Sequence, residues 1–333
     1  MIAAPPDLGQ DLVRNHRLNV RVGPSAWSIA IGFAVLCIIW GEFPITAKIG
    51  TTGQPPFLVA GSRFVLAGVI LGITARLRGT SLRLDRGYLS ALFLISMSMI
   101  GIPSAIFFWA VQHAQASVLT LVWCTAPLFI CLINARNPGE SQSWKTALGL
   151  LAGFGGVVQV VAAGSGLAMS GDALIAELAV AASALLYAVG FQQVRSRTRE
   201  GDILVLTSWQ LLFAGSSILL LSLLTEHRLP AAPSSANVAS FVFLVLACSC
   251  ITFSLTTWLI RHLGTVRTGY NELVTPAITV VVAAPQLGEP LTGHKVLGLV
   301  LMVVGLVLVM PRGRSVSEDL PIAETAEGRI GRE

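Results

Sequence analysis

Thr125-Ala126-Pro127, then Gly139-Glu140, then Gly149: the proline, the Gly-Glu pair and the last glycine return 149 positions later as Pro276, Gly288-Glu289 and Gly298, with Thr275 just before the proline. The register holds outside the set. Trp109 falls on Trp258, His113 on His262 and Gly156 on Gly305. A common spacing sustained over about 45 residues marks an internal duplication, and a duplication constrains every later reading of the chain. Earlier residues match too, at an offset of 147. Trp40 falls on Tyr187, Lys48 on Arg195, and Ala67-Gly68 on Ala214-Gly215.

Composition sets the class of the duplicated unit. The 333 residues are 54% hydrophobic and 12% charged, with a mean hydropathy of +0.75. Apolar runs of about 20 residues recur, each long enough to cross a bilayer core of about 30 Å as a helix. In lipid every backbone N–H and C=O needs an internal partner, so such runs are helices or barrel strands. Their length and lack of alternating polarity select helices. The expectation is an all-α integral membrane protein of ten transmembrane helices. The spans fall at 27–49, 56–77, 88–111, 115–135, 144–162, 172–194, 203–224, 236–261, 265–287 and 291–310. Residues 1–26 read as a cytosolic tail without the apolar core of a cleaved signal peptide, and 311–333 as a disordered cytosolic tail. All five cysteines lie inside apolar runs and read as buried small hydrophobes, with no disulfide framework. The net charge of +5 is spread over loops and gives no nucleic-acid face.

Arginine and lysine placement orients the spans. Arg76, Arg78, Arg83, Arg86, Arg136, Lys145, Arg195, Arg197, Arg199, Arg261 and Arg267 fall on one side, and both tails with them. The other side carries little beyond Arg228 and Lys295, with Lys48 near it. Both termini are therefore expected in the cytosol. Five spans per copy is an odd number, so the second copy (172–310) enters the membrane from the opposite face to the first (27–162), across a linker at 163–171. Inverted repeats place a binding site near the midplane between the copies and let one rock against the other. The alternative is a static bundle built by duplication.

Trp40-Gly41 with Lys48, Arg63-Phe64, Ala114 to Ser117 after Trp109, and the twice-written Pro…Gly-Glu…Gly pattern together resemble the drug/metabolite transporter superfamily, and within it the EamA-type exporters. The resemblance covers about residues 27–310. It implies ten helices in two EamA repeats and an inner-membrane carrier for efflux of amino acids or other small metabolites, driven by ion gradients or exchange. Glu42 stands where that family more often has a small polar residue, and Thr275 precedes Pro276 where a glutamate is common.

An ionisable side chain inside a span is by default a functional candidate. Glu42 lies between Gly41 and Pro44, which loosen the helix and free carbonyls; it reads as a proton-coupling group or as a carboxylate paired with Lys48 or Arg63. Glu272, beside Tyr270 and Asn271 and one turn before Pro276, is the counterpart, or else a residue reaching water at the cytosolic end. Glu177 reads as a wetted residue at the outer end of its span. Arg63 wants a carboxylate, from substrate or from Glu42, and Lys48 either binds an anion or snorkels to headgroups. Pro44, Pro127 and Pro276 mark helix kinks, the last two at matched places in the two copies. Trp40, Trp109, Trp123, Tyr187, Trp209 and Trp258 are candidates to line a cavity, while Trp27 and Trp144 read as interface anchors. Glu140 and Glu289 are expected to serve the N-terminal dipoles of spans five and ten. Gly149, Gly153, Gly298 and Gly305 suit close helix packing within the chain or in a homodimer. His113 and His262 read as polar caps.

No paired aspartate-rich motif, intramembrane serine–histidine pair or metal-ligand spacing is present, so no enzyme, metal or cofactor is expected. The partners expected are a small-molecule substrate, the bilayer, and a coupling proton or counter-substrate. The nearer rivals to a metabolite exporter are a nucleotide-sugar or sugar-phosphate exchanger and a passive channel.

Overall fold

A computed structural model describes residues 24–134, 148–149, 151–156, 158–159, 171–197, 202–227, 230–269 and 271–309. The two tails, most of the linker, Glu140, Trp144 and Tyr270 lie outside the described residues. Within them the secondary structure is helical throughout: α1 (Ala26–Gly50), α2 (Pro56–Leu77), α3 (Arg86–Ser96), α4 (Ile102–Ala110), α5 (Ala116–Trp123), α6 (Thr125–Asn134), α7 (Gly171–Arg197), α8 (Ile203–Thr225), α9 (Ser235–Val245), α10 (Thr252–Thr268), α11 (Asn271–Leu287) and α12 (Gly293–Val309). Six stretches are long and apolar enough to cross a membrane, and three shorter apolar helices accompany them. Leu77, Trp27, Leu223 and Leu151 are more than 70% exposed. Large apolar side chains turned outward along whole helices are what lipid, not water, solvates.

The ends of these helices are set by the sequence. Ser25 caps α1 through the Ser28 amide at 3.1 Å, and Asp202 caps α8 through Leu204 and Val205. Ser234 and Asn237 form a reciprocal capping box at the start of α9. The caps of α2 and α5 come from far away in sequence. Glu226 accepts from the Phe57 and Leu58 amides at 2.7 and 2.9 Å. Glu289 accepts from the Ala116 amide at 2.8 Å and the Ser117 amide at 3.1 Å. Glu289 thus serves the fourth span, not the tenth as expected from sequence. Gly288 explains the reach: its φ of +66° ends α11 in the left-handed conformation and turns the next residue back toward α5.

The duplication is visible as reciprocal contacts. α2 and α8 run antiparallel, with Gly61 beside Gly215 and the Ser208 hydroxyl donating to the Gly68 carbonyl at 2.7 Å. The 147 offset turns Gly61 into Ser208 and Gly68 into Gly215, so each contact is the image of the other. Gly156 lies against Gly298 and Gly305 against Gly149, which the 149 offset also exchanges. Equivalent helices crossing antiparallel with exchanged partners are related by a two-fold axis, the relation an inverted copy requires. The expected glycines are therefore used inside the chain.

The third and eighth spans each carry a π-helical turn, Met97–Gly101 and Leu246–Ile251, 149 residues apart. Nothing in the sequence pattern marks them. Span four is expected from sequence as one helix kinked at Pro127. The helix is broken at Cys124 instead, and Pro127 sits in the first turn of α6, where its missing N–H has no intrahelical partner to lose. The eighth span continues to Thr268 and the ninth starts at Asn271, not at 265 as expected. Pro276 lies inside α11 and Pro44 inside α1.

Candidate functional site

Trp123 and Glu272 occupy the same position in the two copies, 149 residues apart. In the fold they lie side by side, the Trp123 side chain close enough to act on the Glu272 carboxylate. Equivalent residues of two-fold-related copies can touch only at the axis, so this pair marks where the halves face one another. The broken fourth span exposes the position from one side: Cys124, at the break, directs its thiol to the Glu272 carbonyl at 3.6 Å. Glu272 also acts electrostatically on Cys37 and Tyr187, so α1 and α7 border the same place. Tyr187 stacks on Trp123 with centroids 5.3 Å apart, and Asn271 is buried alongside in sequence.

An aromatic wall leads away from the axis. Trp123 meets Phe107 at 6.4 Å, Phe107 meets Phe43 at 5.2 Å, and Phe43 meets Trp40 at 5.3 Å. Trp40 reaches across to Phe253 of the second copy at 5.8 Å. At the far end of the wall lies Arg63, 1% exposed. Its guanidinium carbon stands 4.1 Å from the Phe64 ring centroid, 4.7 Å from Phe108 and 5.0 Å from Phe43. Its Nε and Nη1 have no hydrogen-bond partner. A desolvated cation–π contact contributes about 2 kcal/mol. Three such contacts, even if far from additive, cover the cost of about 3 kcal/mol for an arginine at mid-bilayer on insertion scales. The cage can therefore hold the guanidinium without a carboxylate, leaving N–H groups for a ligand.

Glu42 does not pair with Arg63 or Lys48. It accepts from Gln286 Nε2 at 2.7 Å, at a solvated position. One residue earlier, α1 and α11 make a close approach. Thr279 donates to the Gly41 carbonyl at 2.7 Å, and a Cβ on Gly41 would come within 2.5 Å of Ile278. Lys48 is held away from the axis. It donates to the Ala114 carbonyl at 3.1 Å and pairs with Glu289 at 3.4 Å. Lys295, 3% exposed, joins them through Ser117 Oγ at 2.8 Å and Glu289 at 3.9 Å, and Ser117 also donates to Glu289. Burial opposes the Glu289 charge, but Ser117, Ala116 and Lys48 together hold its carboxyl below the ordinary value.

The remaining candidates are peripheral to the axis. Trp109 stacks on His113 and Trp258 on His262, both at 4.7 Å, each histidine bonded to the tryptophan carbonyl one turn back. The identical pairs in both copies mark them as scaffold. Trp209 donates to the Leu82 carbonyl and anchors a loop, not a cavity. Tyr270 lies outside the described residues. Glu177 is not a wetted interface residue: it is 2% exposed and its Oε2 has no partner. Glu226, Gln286 and the phenylalanines around Arg63 escaped the sequence reading. Only the Arg63-Phe64 juxtaposition hinted at the cage. The described residues contain no group of three or more His, Cys, Asp or Glu able to hold a metal.

The EamA-like transporter family matches residues 27–162 and again 174–310. The chain is similar to the uncharacterized transporter YoaV of Bacillus subtilis, 22% identical over 84% of this chain and 95% of that protein. It is similar to the uncharacterized inner membrane transporter YedA of Escherichia coli K12, 27% identical over 82% and 88%. A probable amino-acid metabolite efflux pump of Salmonella typhimurium is 26% identical over 83% and 93%. A solved crystal structure shares the fold with a TM-score of 0.63, at 22% identity, over 85% of this chain and 96% of that one. The family and these relatives are named as transporters. With its two matched segments covering most of its length, the chain belongs to the EamA-like transporter family.

Proposed function

We propose that the protein is a secondary carrier of the bacterial inner membrane that exports a small organic metabolite, an amino acid or a related compound, by alternating access. The observation that carries the reading is the meeting of Trp123 and Glu272 at the two-fold axis. Rocking of inverted halves exposes an axial site to each face in turn. Glu272 receives the substrate's amine or a coupling proton, Trp123 and Tyr187 cover the apolar body, and Arg63 takes a carboxylate on its unpartnered N–H groups. The two charged groups sit at opposite ends of the aromatic wall, so each engages its own part of the substrate or its own step of the cycle. Glu42, bonded to Gln286, has a secondary place near the site. The arginine-rich end bearing Arg76, Arg78 and Arg86 faces the cytosol with both termini, and the Lys48 end faces outward.

The likeness to an amino-acid metabolite efflux pump favours amino acids as the first probes. Counterflow in proteoliposomes, with amino acids, amines and sugars and with or without a pH gradient, tests the reading. Saturable exchange of an amino acid is expected, reduced at least tenfold in Arg63→Gln. Gradient-driven uptake is expected to be lost in Glu272→Gln. Non-saturating leak of all probes would point to a channel instead.

A further inference from the structure

Glu177 is the one acidic side chain among the described residues that is buried with an orphaned carboxylate oxygen. The transport site does not use it, since it lies ten residues, about 15 Å of helix, from Tyr187. A second buried oxygen without a donor, Gln115 Oε1, precedes α5. The helix directions bring these two to the same level. Gly190 of α7 lies against Ser98 and Met99, and α7 packs along both α4 and α6, so it runs antiparallel to α3–α4. It is then parallel to α5–α6, with Tyr187 beside Trp123. Counting back along both helices places Glu177 and Gln115 at levels along the bundle that differ by less than about one turn.

Among the described residues, charged neighbours do not account for the buried acid. Of the elements packed on α7, the π-turn Met97–Gly101, α4 and α5 carry no titratable side chain. Arg86 and Tyr88 of α3 lie at the opposite end, and Cys124 and Cys131 lie further along the fourth span. His113, in the turn, is stacked on Trp109 and bonded to its carbonyl. Lys48, Glu289 and Lys295 are bonded to one another and to Ala114, Ala116 and Ser117. On α7 itself Asp172 is exposed.

We propose that Glu177 is a proton-binding site at the Lys48 end of the bundle, its carboxylic O–H donating to Gln115 Oε1 and closing the α4–α5 turn against α7. A bare carboxylate away from water and donors is costly. One proton satisfies both oxygens as they are oriented, whereas its loss opposes two acceptors until the Gln115 amide turns over or the two groups part. When this end opens, the O–H bond breaks, the proton passes to water and the carboxylate is hydrated. Acid at the Lys48 face then favours the closed form. Only this last consequence for transport rests on the carrier reading; proton binding does not.

The test is infrared spectroscopy of the full chain in lipid nanodiscs at about pH 7. The natural protein and Asp172→Asn are expected to share a protonated-carboxyl band that Glu177→Gln lacks. Glu177→Asp, which keeps the acid, is expected to shift the band and not remove it. Hydrogen exchange over residues 111–117 and 171–180, corrected for its intrinsic pH dependence, is expected to quicken from about pH 5 to about pH 8 in the natural protein only. A spectrum unchanged by Glu177→Gln, or one in which Glu177→Asp leaves the band in place, overturns the proposal. Absence of saturable exchange alongside the expected band would overturn the carrier reading and leave the proton site standing.

Discussion

Glu289 does more than its place in a turn suggests. It joins the start of α5, the end of α1 through Lys48, and the start of α12 through Lys295. Removing its charge leaves Lys295 buried without a carboxylate, a loss of about 3–5 kcal/mol by analogy with broken buried pairs. Glu289→Gln is therefore expected to lower the unfolding temperature in detergent well below that of Glu226→Gln. Glu226 makes a comparable cap with no lysine, worth about 1 kcal/mol. The pH dependence follows from its depressed pKa. The contribution of Glu289 is whole above the ordinary value of 4.5 and is lost as pH falls through the lower folded value. Acid unfolding of Glu289→Gln should lack this component, and an identical acid limb in both proteins would contradict it. That Glu289 is structural was legible from its position after Gly288. Which helix it caps was not, because the partner lies 173 residues away.

Among elements, the crossings of equivalent helices have the least slack. A Cβ at Gly215 would stand 2.7 Å from the Val65 amide nitrogen, and backbone cannot step aside as a side chain can. Gly155 has open space around its Cβ position. Gly215→Ala is expected to lose folded yield or several degrees of stability, while Gly155→Ala holds or gains up to about 1 kcal/mol from helix propensity. Thermal unfolding of the two variants side by side checks this. The glycines and the duplication could be read from spacing alone, because close approach and repetition are properties of pattern. The π-turns and the break at Cys124 could not. They are local shifts of the hydrogen-bond ladder within one helix that leave no mark in the apolar pattern, and Pro127 three residues later draws attention to the wrong place. Glu177 was misread for a similar reason: distance from a span end does not tell whether a neighbouring turn covers it.

For the whole molecule, the central idea is one site on the two-fold axis, reached from each face in turn. One copy supplies Trp123 and the other Glu272 at the same position, so the scaffold is nearly symmetric while the chemistry is not. Cys124, beside Glu272 and 7% exposed, reports on that place directly. The decisive measurement is labelling of Cys124 by a membrane-impermeant maleimide in a variant whose other four cysteines are alanine, in vesicles of both orientations. The account predicts labelling from both faces, slowed at each by the compound that the protein exchanges. Labelling from one face alone, or from both but untouched by an exchanged compound, would contradict an alternating site at the axis.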